Sequence, residues 1–168
     1  MNNIIIRHTR EADYKRLLDI YEGAREFMRT HGNPTQWNTT WPTEEIVWED
    51  IIESRSYACE LDGKVVGVFM YIMGDDPDPC YHVIEDGSWL SNEPYGVMHR
   101  IASSGDISGI GDAAIAWALK QCPHFRMDTH ANNSFMLNLM ERNNMQRRGI
   151  IYVHEDNDPR IAYEIIVK

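Results

Sequence analysis

Ser103-Ser104-Gly105-Asp106-Ile107-Ser108-Gly109-Ile110-Gly111 is the stretch on which the reading of this chain turns. Upstream of it, Tyr95 to Ala102 reads as a strand. Downstream, Gly109 to Cys122 carries Ile110, Ala113, Ala114, Trp117 and Ala118 at helical spacing until Pro123 forbids continuation. A strand, a glycine-containing turn and a helix start make an anion site by geometry. Backbone N–H groups point into the turn and the helix dipole adds roughly half a positive charge there, so a pyrophosphate can be held without a lysine. A serine and glycine turn before a helix also serves as a plain tight connection, and only the rest of the chain decides between the two.

Toward the N-terminus, Ile4 to Ile6 form a short β-branched strand, and Thr9 offers an N-cap with Glu11 and Asp13 in the first turn. Leu17, Ile20, Tyr21, Ala24, Phe27 and Met28 then recur at helical spacing up to Gly32, which suits the left-handed position after a helix end. A second helix is expected from Thr43, after Pro42, with Val47, Trp48, Ile51 and Ile52 inward. Tyr57 to Leu61 and Lys64 to Met73 flank Asp62-Gly63, a strong hairpin signal. Residues 74–94 turn polar, with Pro77, Pro79 and Gly87, and read as a loop despite Trp89 and Leu90.

Toward the C-terminus, Phe125 to Thr129 is expected as a strand. Ser134 to Arg142 is expected as a helix with Phe135, Met136, Leu139 and Met140 in its apolar stripe. Ile150 to Val153 and Ile161 to Val167 are two further strands, separated by the loop Glu155-Asp156-Asn157-Asp158-Pro159. The resulting order, β-α-α-β-β-β-α-β-α-β-β without repeat or linker, is that of an α+β protein in one domain spanning 1–168.

The whole-chain balance narrows the function. Sixteen basic against twenty-six acidic side chains leave a net charge of -10, which opposes a phosphate backbone, so no nucleic-acid partner is expected. The same field favours a cationic acceptor such as an amine, although acidic surfaces also serve solubility alone. The start, Met1 to Arg7, lacks the apolar core and basic flank of a signal peptide, and no apolar run approaches bilayer length. A cytoplasmic protein with no membrane partner is the expectation. Cys59, Cys80 and Cys122 form no C-x-x-C pair, which signals neither a disulfide framework nor a metal site.

The order of elements resembles the GCN5-related N-acetyltransferase (GNAT) family. That family's phosphate motif, Q/R-x-x-G-x-G/A, falls on Asp106, Gly109 and Gly111, and five residues earlier Ile101 matches the strand position that pairs with the pantetheine arm. Downstream, the pattern N-x-x-A-x-x-x-Y-x-K-x-G-F aligns with Asn133, Met136, Met140, Arg142, Asn144 and Met145, and Asn144 tolerates the left-handed conformation that glycine supplies. The segments Gly32 to Trp37 and His99 to Ala102 look like an uncharacterised bacterial subgroup of the family.

The resemblance implies a mixed, mostly antiparallel central sheet flanked by helices. It also implies acetyl-CoA as co-substrate, held by Ile101, Ser103, Ile107, Ser108, Gly109, Ile110, Gly111 and Asn133, with no metal. The acceptor is the amine of a small molecule or peptide, walled by Gln36, Trp37, Trp89 and Tyr95, and transfer is direct. His99 and His130 are the candidate bases because histidine titrates near neutrality; Tyr95, and Glu85 through a water, are alternatives. Each histidine also has a packing or turn reading, and the tryptophans a local-core one. Two departures stand out: Asp106 puts an anion beside the phosphates, and Met140 replaces a tyrosine that often protonates the leaving thiolate. They motivate the alternative of a non-catalytic coenzyme A-binding protein. Homodimerisation is left open.

Overall fold

A computed structural model describes residues 3–154 and 156–168; Met1 and Asn2 of the N-terminal run, and Glu155 of the last loop, lie outside the described residues. Among the described residues, seven strands and four α-helices follow in the expected order: β1 (Ile5–His8), α1 (Tyr14–Thr30), α2 (Glu44–Ile52), β2 (Ser56–Leu61), β3 (Lys64–Gly74), β4 (Tyr95–Ser103), α3 (Ile110–Gln121), β5 (His124–Thr129), α4 (Ser134–Arg142), β6 (Gln146–Tyr152) and β7 (Pro159–Ile166). The strands follow the sheet order β1-β2-β3-β4-β5-β7-β6. Antiparallel pairing joins β1 to β2, β2 to β3, β5 to β7 and β7 to β6, whereas β4 and β5 pair in parallel at Gly96 with Phe125 and Val97 with Arg126.

The residues fall into two compact units. The first holds the described residues up to Tyr71 together with His99–Trp117; the second holds Ile72–Met98 and the described part of Ala118–Lys168.

In the first unit, Asp62 and Gly63 both take positive φ, 50° and 77°, which gives the β2–β3 turn the twist a two-residue hairpin needs. The core gathers Leu17, Ile20 and Tyr21 of α1, Val47 and Ile51 of α2, Ala58, Val65 and Val68 of the hairpin, and Trp37. Trp117 of α3 packs on Tyr57, Phe69 and Tyr71, with ring centroids 4.5, 5.5 and 5.2 Å away, and so pins that helix to the hairpin strands. Gly32 is left-handed (φ 84°), as its place after α1 requires.

Three expectations are corrected in this unit. Thr9 does not cap a helix: its hydroxyl donates to the Ser56 carbonyl at 3.2 Å, and the chain first makes a 3-10 turn, Glu11–Asp13, where the Asp13 carboxyl takes the Arg10 amide at 2.7 Å. In α2, which Thr43 does cap, Trp48 and Ile52 are 39% and 52% exposed while Asp50 is buried. Phe27 also faces outward, stacked on His31.

In the second unit, α4 has the expected bounds with Asn133 as N-cap, its Oδ1 accepting from the Met136 amide at 3.1 Å. Leu139 and Met140 point inward but Phe135 does not. Asn144 is left-handed at φ 63°. The loop before β4 lies close against β6: Glu85 and Ile150 exchange both backbone hydrogen bonds at 2.8 Å, and a Cβ on Gly87 would fall within 1.7 Å of the Arg148 carbonyl oxygen.

Candidate active site

The first unit carries the strand, turn and helix start. Inside β4, Arg100 sits at φ 53°, a left-handed residue in mid-strand. For a non-glycine residue this costs about 1–2 kcal/mol, so something must hold it there. Its guanidinium forks onto Asp50, Nε to Oδ2 at 2.8 Å and Nη2 to Oδ1 at 2.9 Å, and lies 5.9 Å from the Trp41 ring. The Arg100 carbonyl accepts from the Tyr21 hydroxyl at 2.9 Å. His99 and Ile101, the neighbours of the kink, are half-buried.

Beyond the strand, the Ser104 amide donates to Val66 O at 2.9 Å, which ties the start of the turn to β3. Gly105 and Gly109 are left-handed, φ 85° and 88°, and a Cβ at either meets nothing within 4 Å. The turn therefore faces open space on the side where these side chains are missing. The first-turn amides of α3 have no acceptor within their own helix. Gly67 on β3 brings that helix start close: a Cβ there would lie 2.6 Å from Ile110 Cγ2. The hydroxyl of Ser103 already accepts from the Gly105 amide at 3.1 Å, so it shapes the turn. Asp106 is exposed, its amide 3.5 Å from the Ser104 hydroxyl. Gln36 and Trp37 lie on the connection between α1 and α2. Gln36 Oε1 accepts from the Asn33 side-chain Nδ2 at 2.8 Å, while Trp37 packs edge-on against Tyr21 and belongs to the core.

The second unit holds the remaining candidates. Arg126 Cζ lies 4.0 Å from both the Trp89 and the Tyr95 ring centroids, so these two side chains do come together, around a cation. Trp89 Nε1 donates to Tyr81 O at 2.9 Å, and the Tyr81 hydroxyl donates to Asp128 at 2.6 Å. Burial, offset in part by Arg126, pushes the Tyr95 phenol above its ordinary value, which keeps it protonated at neutral pH. Glu164, fully buried, accepts from Arg126 Nε at 3.0 Å, the Leu90 amide at 2.5 Å and His124 Nε2 at 2.5 Å. Burial pushes its carboxyl up, but those three hydrogen bonds outweigh it and its pKa lies below the ordinary value.

His130 follows β5. Its Nδ1 accepts from the Asn132 amide at 3.0 Å and its Nε2 stands 3.7 Å from Asp158. Glu85 is exposed and accepts from Tyr152 at 2.9 Å. Met140 is fully buried, so the thioether fills core. Among the described residues no group of three or more histidine, cysteine or acidic side chains could hold a metal, and no helix is long and apolar enough to cross a membrane.

No established protein-family signature and no curated protein matches the sequence. Solved structures do. A GNAT-family acetyltransferase from Streptococcus agalactiae is 25% identical, with a TM-score of 0.84 over 100% of this chain and 98% of that one. A GNAT-family acetyltransferase from Listeria monocytogenes is 18% identical (TM-score 0.71, 99% and 98% covered), and a ribosomal-protein-alanine N-acetyltransferase from Brucella melitensis 19% (0.64, 97% and 99%). The chain has the fold of the GNAT-family acetyltransferases. These neighbours support acyl transfer as its general chemistry.

The residues that sequence reasoning missed are Asp50 and Tyr21. Asp50 reads as one more acid on a polar helix face, and its partner is fifty positions away. The signal that could have found it is spacing: Asp50 stands three residues after Val47 and one before Ile51, beside the residues that α2 buries.

Proposed function

We propose that the chain is an acetyl-CoA-dependent N-acetyltransferase that acylates the amine of a small molecule or peptide by direct transfer. The observation that carries this reading is the kinked β4 running into a turn whose two left-handed glycines face open space beside the α3 amides. That is the arrangement a pyrophosphate needs: close backbone approach and N–H donors at a helix start. Ile107, Ser108, Gly109, Ile110 and Gly111 would supply those amides and Ile101 the strand edge, with Ser103 bracing the turn. Asn133 caps α4, so its contribution is to place that helix. The full-length likeness to acetyltransferases, one of them named for an alanine N-acetyl transfer, supports the same chemistry. A cytoplasmic setting goes with this reading, in which Cys59, Cys80 and Cys122 are thiols not joined by disulfides.

Acetyl-CoA, when bound, supplies the acyl thioester. The chain's own work is to align it, to donate backbone N–H near Ile101, and to take a proton from the acceptor's ammonium so that the free amine can attack. His99, two positions before Ile101 on β4, is the first candidate for the base and His130 the alternative: the base takes that proton before the C–N bond forms, and the second amine proton goes to the departing thiolate. Of the acceptor contacts expected from the sequence, Gln36 is proposed in the first unit; in the second, Trp89 and Tyr95 close on Arg126, and Trp37 belongs to the core.

The test is thioester cleavage over an amine panel, together with a thermal-shift titration with coenzyme A. Coenzyme A should raise the melting temperature in a concentration-dependent way. His99→Gln should lower kcat by about 10² to 10⁴, remove the acidic limb of the pH profile and leave coenzyme affinity nearly unchanged. Loss of turnover in His130→Gln but not His99→Gln would move the base to His130. Absence of both coenzyme binding and turnover would sink the function.

A further inference from the structure

We propose that Asp50 and Tyr21 are positioning residues of the coenzyme strand: they hold Arg100 left-handed and so aim the backbone N–H of Ile101. The inference rests on the acyl-transfer reading above. Arginine has no intrinsic tolerance for positive φ, unlike glycine or asparagine, so the conformation at Arg100 must be imposed from outside. Three contacts impose it, all from distant segments. The guanidinium fork onto Asp50 fixes the side chain, the Tyr21 hydroxyl fixes the carbonyl, and the Trp41 ring lies over the cation.

Asp50 is itself immobile. It is 2% exposed, flanked on α2 by the core residues Val47 and Ile51, and its Oδ1 also accepts from Arg55 Nε at 2.6 Å. A planar, two-bond arginine–carboxyl pair carries orientation as well as attraction, which a single-point contact would not. Tyr21 is buried in the same core, and burial raises its phenol well above the ordinary value, so it is present as a donor throughout the working range.

The directional consequence lies in the peptide plane. In a trans peptide the C=O and the N–H of the next residue point in opposite directions. Because the Arg100 carbonyl is held on Tyr21 of α1, the Ile101 N–H is turned away from α1, the direction in which the acyl-transfer reading has the thioester bind. Without the clamp, Arg100 would relax to ordinary extended φ and rotate that N–H with it. Asp50 and Tyr21 would thus act on the reaction through Arg100 without touching substrate.

The experiment compares Tyr21→Phe, Asp50→Asn and the double variant Asp50→Asn/Arg100→Gly with the parent. It reads kcat and KM for acetyl-CoA well below each melting temperature, and the backbone φ at residue 100 by solution NMR. Misaligned reacting groups can cost on the order of 10²-fold. Asp50→Asn is expected to lose about that factor in kcat with little change in KM, and Tyr21→Phe about tenfold, each with φ moving out of the left-handed region. The double variant should regain most of the loss, since glycine takes positive φ at no steric cost, the Arg100 guanidinium is gone and Arg55 keeps Glu49 at 3.7 Å. Parental kcat in Tyr21→Phe together with an unmoved φ overturns the proposal even if Asp50→Asn fails to fold. A double variant no better than a folded Asp50→Asn also overturns it. A parent that turns over while φ stays put in both single variants sinks the clamp alone; a parent with neither coenzyme binding nor turnover sinks the function, and this inference with it.

Discussion

Arg100 in the first unit and Arg126 in the second are built alike and used differently. Each is a strand arginine sunk into the protein, paired with a buried carboxyl and lying over aromatic rings: Asp50 and Trp41 for one, Glu164 with Trp89 and Tyr95 for the other. Arg100 stands at positive φ beside the turn that faces open space; Arg126 sits in the regular register of β5. The same ion pair therefore fixes a backbone direction in one place and fills a core in the other. A buried pair is weak evidence for net stability, because desolvation opposes the attraction, yet breaking it by removing one partner is costly. What it accomplishes depends on the geometry it constrains.

The largest effect should come from the core pair. Glu164→Ala leaves Arg126 and His124 buried without their carboxyl and releases the Leu90 amide, which should cost about 3–5 kcal/mol by chemical denaturation. If a folded Glu164→Ala protein loses kcat as heavily as Asp50→Asn, the two arginines are not used differently and the contrast fails. The same carboxyl sets a pH dependence. Its folded pKa lies below the ordinary value of 4.5, so its stabilisation is complete above about that pH and is lost as pH falls through the lower folded value. Asp13, hydrogen-bonded by Arg7, acts in the same direction. Melting temperature followed from pH 7 to 3 should hold steady and then fall below about 4.5, less steeply in Glu164→Ala.

A middle-sized effect should come from the turn. Gly109→Val meets no steric obstacle, but at φ 88° it forces a β-branched residue into the left-handed region. The thermal shift given by coenzyme A should shrink to that of an affinity at least about tenfold weaker, while the unliganded melting temperature moves by only a few degrees. Parental coenzyme affinity would remove the phosphates from this turn. The smallest effect belongs to Asp106, which is exposed: Asp106→Asn should tighten coenzyme A a few-fold at low salt, fading as salt rises. Weaker binding would mean that its carboxyl organises the turn.

What depends on neighbours along the chain is written in the sequence. The order of strands and helices, the Asp62-Gly63 hairpin, the bounds of α4, and the left-handed Gly32 and Asn144 all follow from spacing, caps and φ preferences that act over a few residues. The glycine turn was legible for the same reason. Helix faces were less so: Val47 and Ile51 turn inward as their spacing requires, but Trp48 and Ile52 beside them do not, because α2 buries Asp50 instead. Thr9 shows the same limit, its hydroxyl drawn off by a carbonyl forty-seven positions away. Long-range packing alone takes Arg100 out of the β region, since no local preference of arginine favours it. The force that holds it comes from Asp50 and Tyr21, fifty and seventy-nine positions back along the chain. Contacts of that separation exist only once α1 and α2 have packed on the sheet, which is why the strand and its turn could be read in the sequence while the direction of the amide between them could not.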